Sequence, residues 1–537
     1  MILGISITSC NDDFLDNTPT DAIAASEAFA NETNMQLVLD GLHRGLFSQS
    51  QTIFPGGSTA RAGNHYWVPL GDNLAGGLIH SANANNLGWR TEMQWNSHTD
   101  PTSLTSELLW YHRYNIILGA NQLIAAATDG SLTDSPTLSE ILGQAYTYRA
   151  YAYLSLVQHY GRGYLIGNPS SDPGVPLVFA SEPPFESAGR SSVQAVYDQI
   201  EADLAAAIAA FGNGKGRQLS GPASKSQLSI NVAQGILART ALSKGDWQTA
   251  ATAAVAAREG FPLMNESDWL SGFNTNELSE VIWGSNVIET ETTFFRSYFY
   301  LASNTFNGSQ IRNNPKIADR RLIDAVPETD YRRKAFIIDA PNTNTSAANG
   351  LGGFGNDPNF TDQDAFNARV AEINNIYGIT TRFNQHPYMH FKLKNKNPGS
   401  IDPDDIIYMR TSEMYLIEAE AKAMMGDVTG AQEALRPLAE ERDSAFDVTA
   451  FDSQDAMMDE IKFQRGIELW GEGFGYTDKI RWDEGIDHAA DGGSGASEVL
   501  YQEAYQRDRP SVDDDWIFKI PQAEIDANPN LGPGDQN

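Results

Sequence analysis

Apolar residues recur at helical spacing through most of the chain, most clearly from Tyr408 to Arg442 (YMRTSEMYLIEAEAKAMMGDVTGAQEALRPLAEER). Leu416, Ala419 and Ala423 mark one face of a first helix. Ala431, Leu435 and Leu438 mark one face of a second, after a turn at Gly426–Asp427. Small residues at such a crossing let two backbones approach closely, and a short Gly-containing connection sets the helices antiparallel. A constant offset of 181 positions lays this stretch over residues 231–259 (NVAQGILARTALSKGDWQTAATAAVAARE). Gly245–Asp246 then falls on Gly426–Asp427, Ala238 on Ala419, Ala250 on Ala431 and Ala253 on Ala434.

The spacing is similar to a tetratricopeptide helix pair, with a Leu-small step at Leu237–Ala238 and an Ala-x3-apolar step at Ala250–Ala254. Two ordinary helical hairpins are the alternative. Pro437 predicts a kink or an early stop in the second copy, because a mid-helix proline removes a hydrogen bond and clashes one turn back.

Further helices are predicted over Ser26–Phe47 (Met35, Leu39, Leu42 and Leu46 on one stripe), Ser103–Thr128, Leu138–Tyr160, Ser191–Phe211 and Gln454–Trp470. Gln49–Pro101 reads as a long Gly/Asn-rich loop whose aromatics (Tyr66, Trp67, Trp89, Trp95) argue against disorder. From Phe261 to Arg410 the helical period disappears, and Glu280–Asn286 and His390–Lys394 read as strands. The predicted fold is mainly α: a helical-pair scaffold over about 23–260 and 405–483, an irregular loop-rich insertion over about 261–404, and one domain from 11 to 537.

Composition narrows the function. The 537 residues are 41% hydrophobic and 10% aromatic, ample for a packed core. A formal net charge of −32 argues against nucleic acid, which needs clustered Lys and Arg. Cys10 is the single cysteine, so one chain can build neither a disulfide nor a thiolate metal site. It follows a short apolar run, Met1–Ser9, and precedes a polar, turn-rich tether, Asn11–Ala22. This is similar to a bacterial lipoprotein, with Ile7-Thr8-Ser9-Cys10 as a loose lipobox and Cys10 as the lipidated thiol. A chance cysteine near a truncated start is the alternative.

Five segments, read together, carry a wider likeness: Cys10 with NDDFLDNTPTDAI, YTYRAYAYLSLVQHYG (146–161), ILARTALSKGDWQTAATAAVAA (236–257), MRTSEMYLIEAEAKAMMGD (409–427) and IKFQRGIELWGEGFGYTDKIRW (461–482). The ending FKIPQAEIDANPNL (518–531) also fits. In this order they resemble the SusD/RagB family of nutrient-binding outer-membrane lipoproteins of Bacteroidetes. Gln464 stands where that family usually has Glu, and Gly475 where an Arg is common. The resemblance implies four tetratricopeptide-like helix pairs carrying a variable loop face. It also implies a glycan- or peptide-binding lid on a SusC-like TonB-dependent transporter.

The sequence offers no catalytic constellation: no H-E-x-x-H, no G-x-S-x-G, no Walker loop and no dinucleotide fingerprint. The expectation is a binding protein rather than an enzyme, with no cofactor. Asp357, Asn359, Asp362 and Asp364 bring oxygen ligands to the close spacing that Ca²⁺ uses, without the Gly of an EF-hand loop; a solvated turn is the alternative. His386 and His390 flank a Pro-containing loop.

Aromatics in polar loops can stack on the C–H faces of sugars while Asp, Asn and Gln take the hydroxyls. Two loops qualify, 64–98 and 288–306. The candidate ligand residues are Trp67, Asp72, Asn73, Trp89 and Trp95 in the first, Tyr298 and Tyr300 in the second, and Trp283 beside it. Few basic residues accompany them (Arg61, Arg90, Arg296), so the expected ligand is an oligo- or polysaccharide without charge, a neutral glucan and specifically a laminarin-like β-glucan. A peptide ligand, a glycosidase acting on the same glycans and a helical adaptor without a small ligand are the other readings.

Overall fold

The computed structural model describes residues 25–48, 63–80, 90–181, 187–288, 290, 297–308, 312–343, 352–487, 508–509 and 511–537. In chain order its principal helices and strands are α1 (Glu32–Gly45), α2 (Asn64–Leu74), β1 (Leu78–His80), α3 (Leu104–Thr128), α4 (Pro136–Tyr160), α5 (Val193–Phe211), α6 (Ile230–Lys244) and α7 (Trp247–Ala257). They continue with β2 (Val281–Ser285), α8 (Tyr298–Ala302), β3 (Lys316–Ala318), β4 (Phe336–Ile337), α9 (Gln363–Tyr377), β5 (Met389–His390) and β6 (Ile406–Arg410). The last four are α10 (Thr411–Met424), α11 (Val428–Arg442), α12 (Gln454–Glu468) and α13 (Gly475–Trp482). The fold is mainly α, with few short strands.

The helices pack in succession, α3 on α4, α4 on α5, α6 on α7, α7 on α10 and α10 on both α11 and α12. The two copies related by the 181-residue offset therefore lie against each other. Their turns are built alike. Gly245 and Gly426 both close the first helix with φ +77, the left-handed region that glycine enters without a Cβ penalty. Asp246 and Asp427 then cap the second helix, accepting from the Thr249 and Gly430 backbone N–H groups at 3.2 and 2.9 Å.

Pro437 neither stops α11 nor ends it early. It faces solvent, so water can satisfy the carbonyl that the missing N–H leaves free. Short antiparallel strands assemble the rest: a four-stranded sheet in the order β1-β3-β5-β4 and a β2–β6 pair with a bulge at Trp283. Of the expected strand at His390–Lys394 only His390 is in a strand, the second residue of β5. Among the described residues no helix is long and apolar enough to cross a membrane.

The predicted insertion is tied to the helical body by a buried knot of charge. Glu468, at the end of α12, accepts from Arg410 Nη1 at 2.7 Å, Arg332 Nη1 at 3.0 Å and Arg442 Nε at 3.1 Å. Glu280 accepts from Arg410 Nη1 at 2.8 Å and also pairs with Arg442. Glu472 takes both Arg410 and Lys392. Gln464, the departure from the family pattern, accepts from Arg332 Nη2 at 2.7 Å. These side chains come from the residue before β2, the segment after β5, β6, the turn at 331–335, α11, and α12 with the turn that follows it, so distant segments share one interior.

Candidate functional site

The candidate residues on the first loop lie on a helix. α2 carries Trp67, Asp72 and Asn73 despite an internal proline, Pro69, because its neighbours hold it. A Cβ at Gly71 would stand 2.4 Å from the Gly473 carbonyl oxygen, so only glycine permits this approach. Asp72 is buried, and its carboxylate accepts from the Gly473 and Gly475 backbone N–H groups at 2.7 and 2.9 Å. Burial lifts its pKa to about 6 against those hydrogen bonds. Asn73 donates to the Leu78 carbonyl at 3.2 Å. Both residues hold main chain, which corrects the expectation that they meet sugar hydroxyls.

Most of the expected platforms are likewise core. Trp95 is edge-on to Trp516 at 4.8 Å, with Arg509 over its ring at 4.6 Å. Trp283 is fully enclosed between Tyr151 and Tyr408. Tyr298 donates to the Gly471 carbonyl at 3.0 Å, and Tyr300 packs edge-on to Phe306. None of these rings offers an open face, because enclosing so large an apolar surface outweighs leaving it free. Trp283→Ala is accordingly expected to lower the unfolding free energy by about 3–5 kcal/mol, read from the urea midpoint. Trp89 and Cys10 lie outside the described residues.

The oxygen cluster behaves as turn and cap. Asp357 accepts from the Asn342 and Asn359 backbone N–H groups at 2.8 and 3.0 Å, and Asp362 caps α9 through Ala365 N at 2.7 Å. Asp364 follows in the exposed first turn. Among the described residues no three His, Cys, Asp or Glu side chains gather as a metal site. Burial lowers the pKa of His386 to about 4 and of His390 to about 3, and each ring faces a backbone carbonyl.

The two nominated loops do meet. Asn64 N donates to the Leu46 carbonyl at 2.6 Å, closing the stem of one. Ser297 caps α8 at the stem of the other. Phe47 and His65 from the first stem, and Val287 and Phe299 from the second, line one small pocket with Asp402 and Asp404. Ile288 and Ile401, each next in sequence to a lining residue, are 48% and 47% exposed. Asp404 is fixed by Asn395 Nδ2 at 2.7 Å and Lys396 N at 3.0 Å, and burial raises its pKa to about 6. Asp402 is exposed.

A second, larger cavity of about 150 Å³ lies among α2, α3, α4, α6 and α13. Trp67 lines it, with Asn64, Arg113, Arg239, Glu413 and Arg465. Arg239 grips Glu413 with two hydrogen bonds of 2.7 Å, and Arg465 Nε donates to Asp478 at 2.6 Å.

Residues 273–537 match the family model of the SusD family, and residues 65–230 match a SusD-like model described as starch-binding, associating with outer membrane. The chain belongs to the SusD family. SusD-like protein P38 of Formosa agariphila is 24% identical over 416 residues, spanning 73% of this SusD-family chain and 75% of the relative. The fold is similar to that of a SusD-like carbohydrate binding protein from Bacteroides vulgatus (TM-score 0.71, 21% identity, 94% of this chain and 98% of that one). It is also similar to a SusD superfamily protein from Bacteroides thetaiotaomicron (0.71, 22%, 94% and 99%). Surface glycan-binding protein A from Bacteroides fluxus shares it too (0.61, 18%, 92% and 96%).

In this SusD-family chain, residues of both nominated loops meet at the small pocket, while the sequence reading did not single out Asp402 and Asp404 on the same wall. The run Ile401-Asp402-Pro403-Asp404-Asp405 held the available signal: an isolated apolar residue opening an Asp/Pro turn just before a strand. Of the larger cavity only Trp67 was singled out in the sequence, because the rest of its wall is drawn from several distant segments.

Proposed function

We propose that this protein captures an oligo- or polysaccharide at the pocket between the loop stems and delivers it to a SusC-like TonB-dependent transporter in the outer membrane, held there by lipid on Cys10. The observation that carries the binding site is the convergence of both loop stems on one pocket, with the exposed Ile288 and Ile401 each next in sequence to a residue of its wall. Ile288 and Ile401 suit the C–H face of a sugar, and Asp402 can accept from its hydroxyls. Family membership and the starch-binding description of the model matching 65–230 support the ligand class. The net charge of −32 favours a neutral polymer, a glucan such as laminarin. Binding without chemical change is the activity proposed.

Affinity electrophoresis through laminarin and other neutral glucans tests this. Wild-type protein is expected to be retarded, and Ile401→Ser and Asp402→Ala each to weaken binding about fivefold, on the order of 1 kcal/mol. Absence of retardation by every neutral glucan would refute the ligand class, and two variants running like wild type would refute the site. Release of reducing ends during incubation would point to catalysis instead.

A further inference from the structure

The larger cavity holds an unbalanced cation. Arg113, on α3, is 3% exposed, and among the described residues no ion pair reaches it. Its nitrogens donate to neutral partners only: Ser155 Oγ at 2.9 Å, His112 Nδ1 at 2.8 Å and Asn64 Oδ1 at 3.0 Å. His112 passes its other nitrogen to the Gly45 carbonyl at 3.0 Å, which fixes the tautomer that accepts from Arg113. Burial depresses the Arg113 pKa, and only tyrosines raise it back. A guanidinium taken out of water is strongly disfavoured unless an anion matches it.

Three neighbours on the wall are also short of acceptors. Asn64 Nδ2, Trp67 Nε1 and Arg465 Nη1 are enclosed without a hydrogen-bond partner. All three are nitrogen donors, and their residues are 1%, 8% and 4% exposed. The Asn64 amide cannot flip to help, because its oxygen already accepts from Arg113 and from Tyr151 at 3.2 Å. The remaining arginines do not supply a spare anion: Arg239 consumes Glu413, while Arg465 and Arg481 share Asp478. Glu472 is taken by Arg410 and Lys392.

The cavity also has a way out. Gln158, Ser243, Thr477 and Arg481 belong both to its wall and to that of a second pocket, which continues past Arg162 to the exposed Leu165. We propose that this cavity binds a small ligand bearing an oxyanion, a carboxylate or a phosphate, with Arg113, Asn64, Trp67 and Arg465 as its donors. The site is separate from the pocket between the loop stems, and its ligand is opposite in sign to the cationic donors that line it. An acidic sugar residue and free inorganic phosphate share this chemistry.

Calorimetric titration and thermal shift on the whole protein, with glucuronate, inorganic phosphate and neutral glucose as probes, decide it. One of the two anions is expected to bind one-to-one and raise Tm, and glucose is not. Trp67→Phe, which keeps a ring and removes only the N–H, is expected to weaken the anion about tenfold. Arg113→Lys, which keeps charge but loses the fork, is expected to do the same. Neither anion binding at millimolar concentration, glucose acting as well as the anions, or a folded Trp67→Phe binding like wild type would each overturn the proposal, leaving a water-filled cavity and a structural Arg113. Should Arg113→Lys fail to fold, the affinity of Trp67→Phe alone decides between the two.

Discussion

Glu468→Ala is expected to leave the protein unable to hold its fold at 37 °C, a loss of about 5 kcal/mol or more. The side chain is fully buried, and three guanidinium groups, Arg332, Arg410 and Arg442, converge on its carboxylate. Burial alone would raise its pKa, yet those three arginines hold it well below the usual carboxylate range. Deleting it strands cations in a dry interior with only Asp330, Glu280 and Glu472 left to share among them. Glu468→Gln keeps the shape and loses the charge, and should be almost as damaging. Urea denaturation followed by far-UV circular dichroism measures this. A midpoint within about 1 kcal/mol of wild type would refute the central place given to this carboxylate.

Acidification is expected to unfold the protein near pH 5. Burial holds His43, His98, His112 and His390 at a pKa of about 3, and His159 and His386 at about 4. An unfolded chain protonates each near pH 6.5. Between about 6.5 and about 3 the unfolded state therefore binds more protons than the native one, and stability falls as pH falls. Each histidine removes about 1.4 kcal/mol per pH unit, so six remove about 8 kcal/mol at pH 5.5, as much as the whole stability of many domains. Asp72 and Asp404, raised to about 6, work the other way between about 6 and 4, because their native forms hold protons that the unfolded chain has lost. The histidines outnumber them. Urea midpoints at pH 7.5, 6.5 and 5.5 should drop steeply over the last step; equal midpoints at 7.5 and 5.5 would show that the rings are not held neutral.

What the sequence revealed follows from which forces leave a periodic trace. The repeat at Gly245 and Gly426 was legible because a left-handed glycine, a capping aspartate and a small-residue stripe are local requirements. α9 was missed although Phe366, Val370, Ile373 and Tyr377 recur at helical spacing behind the Asp362 cap; the many Asn and Gly around it hid the stripe. α2 was missed for a different reason. Pro69 and Gly71 argue against a helix, and tertiary packing, against Gly473, α8 and α13, stabilises it. Trp95 stands in polar surroundings in sequence but in apolar ones in space, so composition read exposure where folding produced enclosure; Trp283 follows Val281 and Ile282 in a strand that the fold buries on both sides. Arg113 and its neutral partners could not be anticipated from order along the chain, since Asn64, Arg113 and Ser155 meet only after three segments have packed.

The charged knot carries a kinetic consequence. Arg410 and Glu280 are 130 positions apart, and Arg332 and Glu468 136, so these pairs close long loops. Each partner must surrender its water before the rest arrive, which makes a half-assembled knot less favourable than none. Such a cluster is expected to complete after the helices have docked, so that its contacts must break on the way out. It acts as a latch on the finished structure: it slows escape from the native state far more than it speeds arrival.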